Sequence, residues 1–349
     1  MNDSLEDVYD VRLQKWTFLD YLASTTFYCT GAVGITANLT LIYLILTKSP
    51  KSLNIYRVFL LNVAVAELVF SLSSTIGQIR IIPNKWAFAY VPLGVARFFQ
   101  PAVGYFVYST QLHAIFYTFM SFPLSFGYRY YVLIRPQPST ITALAICLCL
   151  WSVSLAQNIL FIFSEAPPDE VRAYLLRNKP SYNLTGWPIS GNNMLTQPLT
   201  CITLGTIVLP MFPIYSLVLY FYKKAHSVLR SQLTMNENTV RGHRRLIRAL
   251  TIQASLPLLF IFPPITIYGL YHLEFIDLTI IEYLVYVLFS FFPACSPLVT
   301  LYFVRPYNDA LKKAFCCFRK AAEKRTTTSA PNEMTEYSAP RKLQGSSSV

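Results

Sequence analysis

An arginine closes an otherwise uncharged apolar run. From Phe98 to Tyr128 the chain has no formal charge, and it then reads Tyr128-Arg129-Tyr130-Tyr131-Val132-Leu133-Ile134-Arg135-Pro136. A guanidinium at the edge of a hydrocarbon layer is costly to desolvate, so its presence points to a partner, a pore or a switch. A second charge, Glu67, lies within another apolar run, and Asn38 and Ser296 fall inside two more. Together these three could form a polar cluster in the bundle core; the alternative is a hydrogen-bonded structural glutamate. The pattern does not suit catalysis. The four histidines are scattered, and there is no metal-ligand cluster, nucleophile with base or Gly-rich phosphate loop. The chain is read as a non-enzyme that needs no cofactor and no metal.

The elements that hold these residues follow from composition. Of 349 residues 54% are apolar and 13% charged, which describes an integral membrane protein. A span needs roughly 20 apolar residues, and seven stretches qualify: Tyr21 to Thr47, Val58 to Ile79, Phe98 to Phe126, Ser139 to Phe163, Leu199 to Tyr222, Ala249 to Tyr271 and Leu278 to Val304. Long continuous runs must satisfy their own backbone hydrogen bonds, which favours helices over barrel strands. The expected fold is therefore an all-α membrane protein, a seven-transmembrane helix bundle followed by a short amphipathic helix, the eighth. Its segments are an extracellular N-terminal stretch 1–20, the bundle 21–304, a membrane-surface helix 305–318 and a disordered cytoplasmic tail 319–349.

Lysine and arginine set the orientation. With the N-terminus outside, the inner loops hold twelve of them and the outer loops six, and the chain from Arg305 onward adds nine more inside. That bias places the N-terminus out and the C-terminus in. The net charge of +12 is then a topology signal, and nucleic-acid binding, which needs a basic folded surface with base-reading groups, is not expected. The acidic first twenty residues do not resemble a cleavable signal. Two sequons, at Asn2 and Asn183, lie outside in this arrangement and are candidates for glycosylation, with chance occurrence as the alternative.

No outer loop contains a cysteine, so a disulfide between the second outer loop and the third helix is not expected. Cys316 and Cys317 end a segment whose apolar residues Tyr307, Leu311, Ala314, Phe315 and Phe318 recur at helical spacing between basic flanks. They are candidates for palmitoylation at the inner leaflet, the alternative being unmodified thiols.

Arg129-Tyr130, with Leu133 and Pro136 behind them, resemble the third-helix ending of rhodopsin-like G-protein-coupled receptors. Asn38, Glu67, Trp151, Pro210 or Pro213, and Pro297 agree with that family in order and spacing, and the position of Glu67 resembles that of the family's second-helix acid, which implies a sodium-binding or proton-relay role. Departures narrow the match: Tyr128 stands where an acid usually precedes the arginine, Thr300 replaces the seventh-helix tyrosine, Phe262-Pro263-Pro264 lacks a tryptophan, and the outer cysteine pair is missing. Four stretches are similar instead to the nematode serpentine chemosensory receptors of class delta (Srd), in the Str-type superfamily. They are Lys48-Ser49-Pro50-Lys51-Ser52-Leu53, Arg80-Ile81-Ile82-Pro83 leading to Ala89-Tyr90, Phe126 to Leu133, and Tyr302-Phe303-Val304-Arg305-Pro306-Tyr307.

The resemblance implies a chemoreceptor of olfactory or gustatory type at the plasma membrane or in sensory cilia. Its partners would be the lipid bilayer, a small-molecule odorant or pheromone, and a heterotrimeric G protein. Arg129 and Tyr130, with Arg245 and Arg248 from the sixth-helix rim, are the expected G-protein contacts; the alternative for Arg129 is a topology anchor. Tyr128 offers Arg129 only a hydroxyl, so a weak resting restraint is expected. At about 1.5 Å per residue, Gln111 and His113 sit in the outer half of the third helix, where Tyr108, Tyr268 and Glu282, with Tyr105 and Phe106, could line a pocket for a small apolar molecule. Gln111 at that point disfavours a cationic amine, and the absence of lysine between Leu278 and Val304 excludes a retinal Schiff base. Two other readings stay open. A peptide-activated rhodopsin-like receptor would share the fold, and a ligand-gated ion channel of the insect chemoreceptor kind would place the N-terminus inside.

Overall fold

The computed structural model describes residues 10–50, 53, 55–231, 237–276, 278–314 and 316. Ten helices appear among them, α1 (Phe18–Lys48), α2 (Tyr56–Gly77), α3 (Pro101–Ile134), α4 (Thr140–Ile162), α5 (Pro168–Asn178), α6 (Pro198–Val208), α7 (Met211–Ser231), α8 (Glu237–Phe260), α9 (Phe262–His272) and α10 (Ile281–Phe303). Residues 305–314 are helical as well. By contact the chain divides into two compact units, Met1–Asn308 and Asp309–Val349.

The seven expected spans are all helical. Six are long and apolar enough to cross a membrane, with α6–α7 and α8–α9 each counted as one 33-residue span. The seventh is α3, which packs against α2, α4, α7 and α8. Spans five and six are each made of two helices for a covalent reason. Proline removes an N–H and clashes with the preceding turn, and the chain breaks at Leu209-Pro210 and at Ile261, just before Phe262-Pro263-Pro264. Pro123, Pro257, Pro293 and Pro297 stay inside continuous helices.

A three-stranded antiparallel sheet covers the outer connections, an element the apolar periodicity did not announce. β1 (Ile79–Asn84) pairs with β2 (Ala87–Pro92), and β2 with β3 (Ser190–Asn193). The register sets Ile81 opposite Tyr90 and Tyr90 opposite Ser190. Every strand residue is buried. Gly191 permits this packing, because a Cβ there would lie 2.1 Å from the Phe88 carbonyl oxygen and 2.8 Å from Val171. The sheet and α5 thus hold the second outer loop against the bundle without a disulfide; none of the described cysteines is bonded to another.

Candidate functional site

At the inner end of α3, Arg129 is only 3% exposed. Its guanidinium lies 3.2 Å from the centroid of the Tyr56 ring, and the Tyr128 ring is 5.9 Å away. Stacking on an aromatic face is the usual resting place for a desolvated guanidinium that lacks a carboxylate. Nε and Nη2 have no hydrogen-bond partner among the described residues. Tyr128 does not bond to Arg129; it stacks on Tyr56 at 6.1 Å and tilts against Phe59 at 4.7 Å. The ring that Arg129 rests on is therefore that of Tyr56, at the start of α2, which sequence spacing did not single out.

Tyr130 is half-buried and packs against Phe221 of α7. Arg245 and Arg248 are exposed on α8, with Arg248 5.9 Å from the Phe303 ring. An apolar cluster of Leu133, Ala225, Leu229 and Ile247 joins the inner ends of α3, α7 and α8. Non-directional packing of this kind is what a moving helix end can give up and regain.

The core cluster is only partly as expected. Ser296 Oγ donates to Glu67 Oε1 at 2.5 Å, so α2 and α10 are joined through the proposed acid. Asn38 bonds elsewhere, donating through Nδ2 to the Gly34 and Pro293 carbonyls at 2.9 and 3.1 Å. In its place Gln253 of α8 reaches Ser296 Oγ at 3.0 Å and Thr300 Oγ1 at 2.9 Å. Thr300, the departure from the tyrosine of related receptors, is thus the acceptor for a sixth-span glutamine. All of these side chains are buried, so the polar strip links α2, α8 and α10 within an apolar surround.

The outer half is aromatic. The Tyr286 hydroxyl donates to that of Tyr108 at 2.7 Å, and Tyr90 lies 4.4 Å from Tyr108, ring to ring. Tyr105 stacks on Phe161 at 5.3 Å and donates to its carbonyl oxygen at 2.7 Å. Gln111 is buried with both amide atoms unpartnered, as is the Tyr268 hydroxyl, among the described residues. His113 turns away from this aromatic group. Its Nδ1 is 2.9 Å from Ser154 Oγ, its ring meets Trp151 edge-on, and it lines a groove of about 690 Å3 bounded by α1, α2, α3 and α4. Phe106, 57% exposed, also points away from the core.

Glu282 is committed to an ionic cluster. Its Oε2 accepts from Arg80 Nη2 at 2.6 Å and Nε at 2.9 Å, and its Oε1 accepts from Tyr182 at 2.6 Å and Tyr271 at 2.8 Å. Lys179 Nζ stands 3.7 Å away, and Arg80 also approaches Asp20 at 3.7 Å. Asp20, placed by sequence in the N-terminal segment, closes a capping box with Thr17 at the start of α1 and accepts from Tyr283 at 2.8 Å. The neighbouring carboxylates hold the Arg80 guanidinium firmly charged, above its ordinary pKa despite burial, which on its own acts to lower it and is the largest single influence. One cluster therefore ties α1, β1, the second outer loop, α9 and α10 together, and Arg80, Lys179 and Tyr182 were not among the expected site residues.

Asn183 is exposed beside this cluster. Cys316 is exposed, whereas Asn2 and Cys317 lie outside the described residues.

Comparison with known proteins agrees with this architecture. The family model described as serpentine type 7TM GPCR chemoreceptor Srd matches residues 23–313. Serpentine receptor class delta-3 of Caenorhabditis elegans is 30% identical over 301 residues, covering 84% of this chain and 87% of its own. Serpentine receptor class delta-18 of the same species is 31% identical, covering 80% and 85%. Among solved structures, squid rhodopsin superposes with a TM-score of 0.56 at 15% identity, covering 93% of this chain and 97% of that one, a likeness of fold. With its seven helical spans and its match across nearly the whole bundle, the chain belongs to the Srd family of serpentine seven-transmembrane G-protein-coupled chemoreceptors.

Proposed function

We propose that this receptor binds a small molecule in its outer half and, in response, catalyses nucleotide exchange on a heterotrimeric G protein at the plasma membrane, with sensory cilia as its place of work. The carrying observation is the inner end of α3. Arg129 is buried with two donor nitrogens unpartnered and is restrained by one aromatic face. A donor held this way is ready to exchange the tyrosine face for carbonyl oxygens of an inserted helix once the inner ends of α3, α7 and α8 separate. Tyr130, Arg245 and Arg248 form the surrounding contacts. The Glu67–Ser296–Gln253 strip serves as an ion site or relay across α2, α8 and α10, of which α2 and α8 pack on α3.

On the outer side, Tyr108, Gln111 and Tyr268 are the contacts for the ligand. His113 works at the α3–α4 seam, and Glu282 works through the ionic cluster. The test is exchange of a labelled non-hydrolysable GTP analogue on reconstituted G protein, with an odorant panel applied to wild type and Arg129→Ala. Ligand-driven exchange in wild type that is lost in Arg129→Ala is expected. A current evoked by the same ligands without G protein would replace this reading with the channel.

A further inference from the structure

The outer vestibule carries chemistry not yet assigned. It measures about 510 Å3 and opens between the β1–β2 turn, the segment after α5 and the α9–α10 connection. Asn84, Lys85, Lys179, Tyr271, His272 and Glu274 are among its walls.

Asn84 is 2% exposed, and neither its amide nitrogen nor its oxygen has a hydrogen-bond partner among the described residues. Buried amides are normally satisfied, so an orphaned one in the wall of a cavity marks a contact point. The buried Nδ1 of His272 is likewise unpartnered, and its ring stacks on Phe88 at 4.8 Å with Tyr268 beside it. Lys85 sits at the turn with φ of 54°, a left-handed conformation uncommon outside glycine, and its exposed side chain stands on the rim. Lys179 donates to the Tyr271 hydroxyl at 2.7 Å and lies 3.7 Å from Glu282, leaving further donor capacity on a side chain that is 22% exposed. Against these two ammonium groups stand the exposed carboxylate of Glu274 and the buried one of Glu282, which Arg80 holds and Lys179 approaches. Lys85, which has no described acidic partner, and the part-exposed Lys179 offer an anion a place beside a flat aromatic surface.

We propose that the vestibule binds the carboxylate of a small amphipathic molecule. Lys85 and Lys179 supply the charge, Asn84 the hydrogen bond, and the His272 ring, backed by Phe88 and Tyr268, the surface for the apolar part. The inference rests on the chemoreceptor reading and adds to it a carboxylate subsite distinct from the Tyr108, Gln111 and Tyr268 contacts, which do not line the vestibule. A carboxylate on Lys179 competes with Glu282 for the same ammonium, which connects occupancy to the cluster that joins β1, α9 and α10.

The experiment uses the full-length receptor in detergent and follows its thermal unfolding midpoint with straight-chain carboxylates from acetate to decanoate, their methyl esters, and sulfate at matched ionic strength. At least one carboxylate should raise the midpoint by about 2 °C or more, with its ester and sulfate inactive. Lys85→Gln, whose side chain makes no hydrogen bond among the described residues, should weaken the apparent affinity about tenfold without moving the unliganded midpoint. Equal shifts from ester or sulfate, no shift across the series, or an unchanged response in Lys85→Gln would overturn the proposal. Nucleotide exchange driven by an odorant panel, in wild type and Arg129→Ala, separates the two failures. If exchange depends on Arg129 but carboxylates are not distinguished, the vestibule proposal alone falls; if no Arg129-dependent exchange is found, the receptor reading falls and this proposal with it.

Discussion

At Arg129 the restraint is a ring rather than a carboxylate, and that sets its strength. A cation over a tyrosine face contributes about 0.5–2 kcal/mol, depending on desolvation. Replacing Tyr56 with leucine keeps an apolar side chain and removes the attraction. Tyr56→Leu is therefore expected to raise ligand-independent nucleotide exchange by about two- to thirtyfold, the factors those energies give. Exchange equal to wild type in that variant would show that the ring does not restrain Arg129. Glu67 invites a different comparison. Glu67→Gln retains an oxygen for the Ser296 hydroxyl, whereas Glu67→Leu leaves Ser296 with one partner fewer in a buried strip. The leucine variant should lose about 1–3 kcal/mol of stability and the glutamine variant less than half of that, read from unfolding midpoints in detergent. If sodium also stabilises wild type but not Glu67→Gln, the acid is an ion site as well as a structural group.

Among the elements, the cluster around Glu282 takes the place of a covalent staple. Removing one partner of a buried pair strands the other charge, which costs about 3–5 kcal/mol, while replacing both with apolar residues is often close to neutral. Glu282→Gln and Arg80→Met are accordingly expected to lower the unfolding midpoint sharply as single variants, and Arg80→Met/Glu282→Leu by less than the sum of the two, because Asp20 and Lys179 still lose their partners. Independent, additive losses would mean that the two side chains do not act as a pair. The helices themselves were legible from apolar run length, because every span must satisfy its own backbone, whereas the breaks at Pro210 and before Pro263-Pro264 emerged only with the structure. The sheet was not. Ile79–Asn84 and Ala87–Pro92 are buried on both faces, so they show no alternation, and β3 is a four-residue Ser-Gly-Asn-Asn segment with no β-branched signal. The site was legible in the same uneven way. Arg129 and Glu67 stand out because a charge in an apolar run is conspicuous. Tyr56 and Gln253 do not, because an aromatic residue and an amide are ordinary in such a run, and only the packing of α2 and α8 gives them their partners.

For the whole molecule the expectations concern sidedness and pH. An epitope at the N-terminus should be reached in intact cells and one at the C-terminus only after permeabilisation, with a glycosidase-sensitive shift that disappears in Asn183→Gln; the opposite sidedness would put Arg129 on the outer face and end the G-protein reading. Just beyond α4, outside the span, burial pushes the Glu165 carboxyl up to about 7, with its Oε1 unpartnered. An unfolded glutamate ionises near 4.3. Between those values the folded form holds a proton that the unfolded form has released, so stability contributed here is present at acid pH and falls as pH rises toward 7. Glu165→Gln should flatten the midpoint over that window, and an unchanged slope would count against it. The outer face is fastened by ions, hydroxyls and a sheet, and its loops contain no cysteine. An outer face fastened this way does not depend on a disulfide for its stability, so thiol reductants are expected to leave the unfolding midpoint in detergent unaltered.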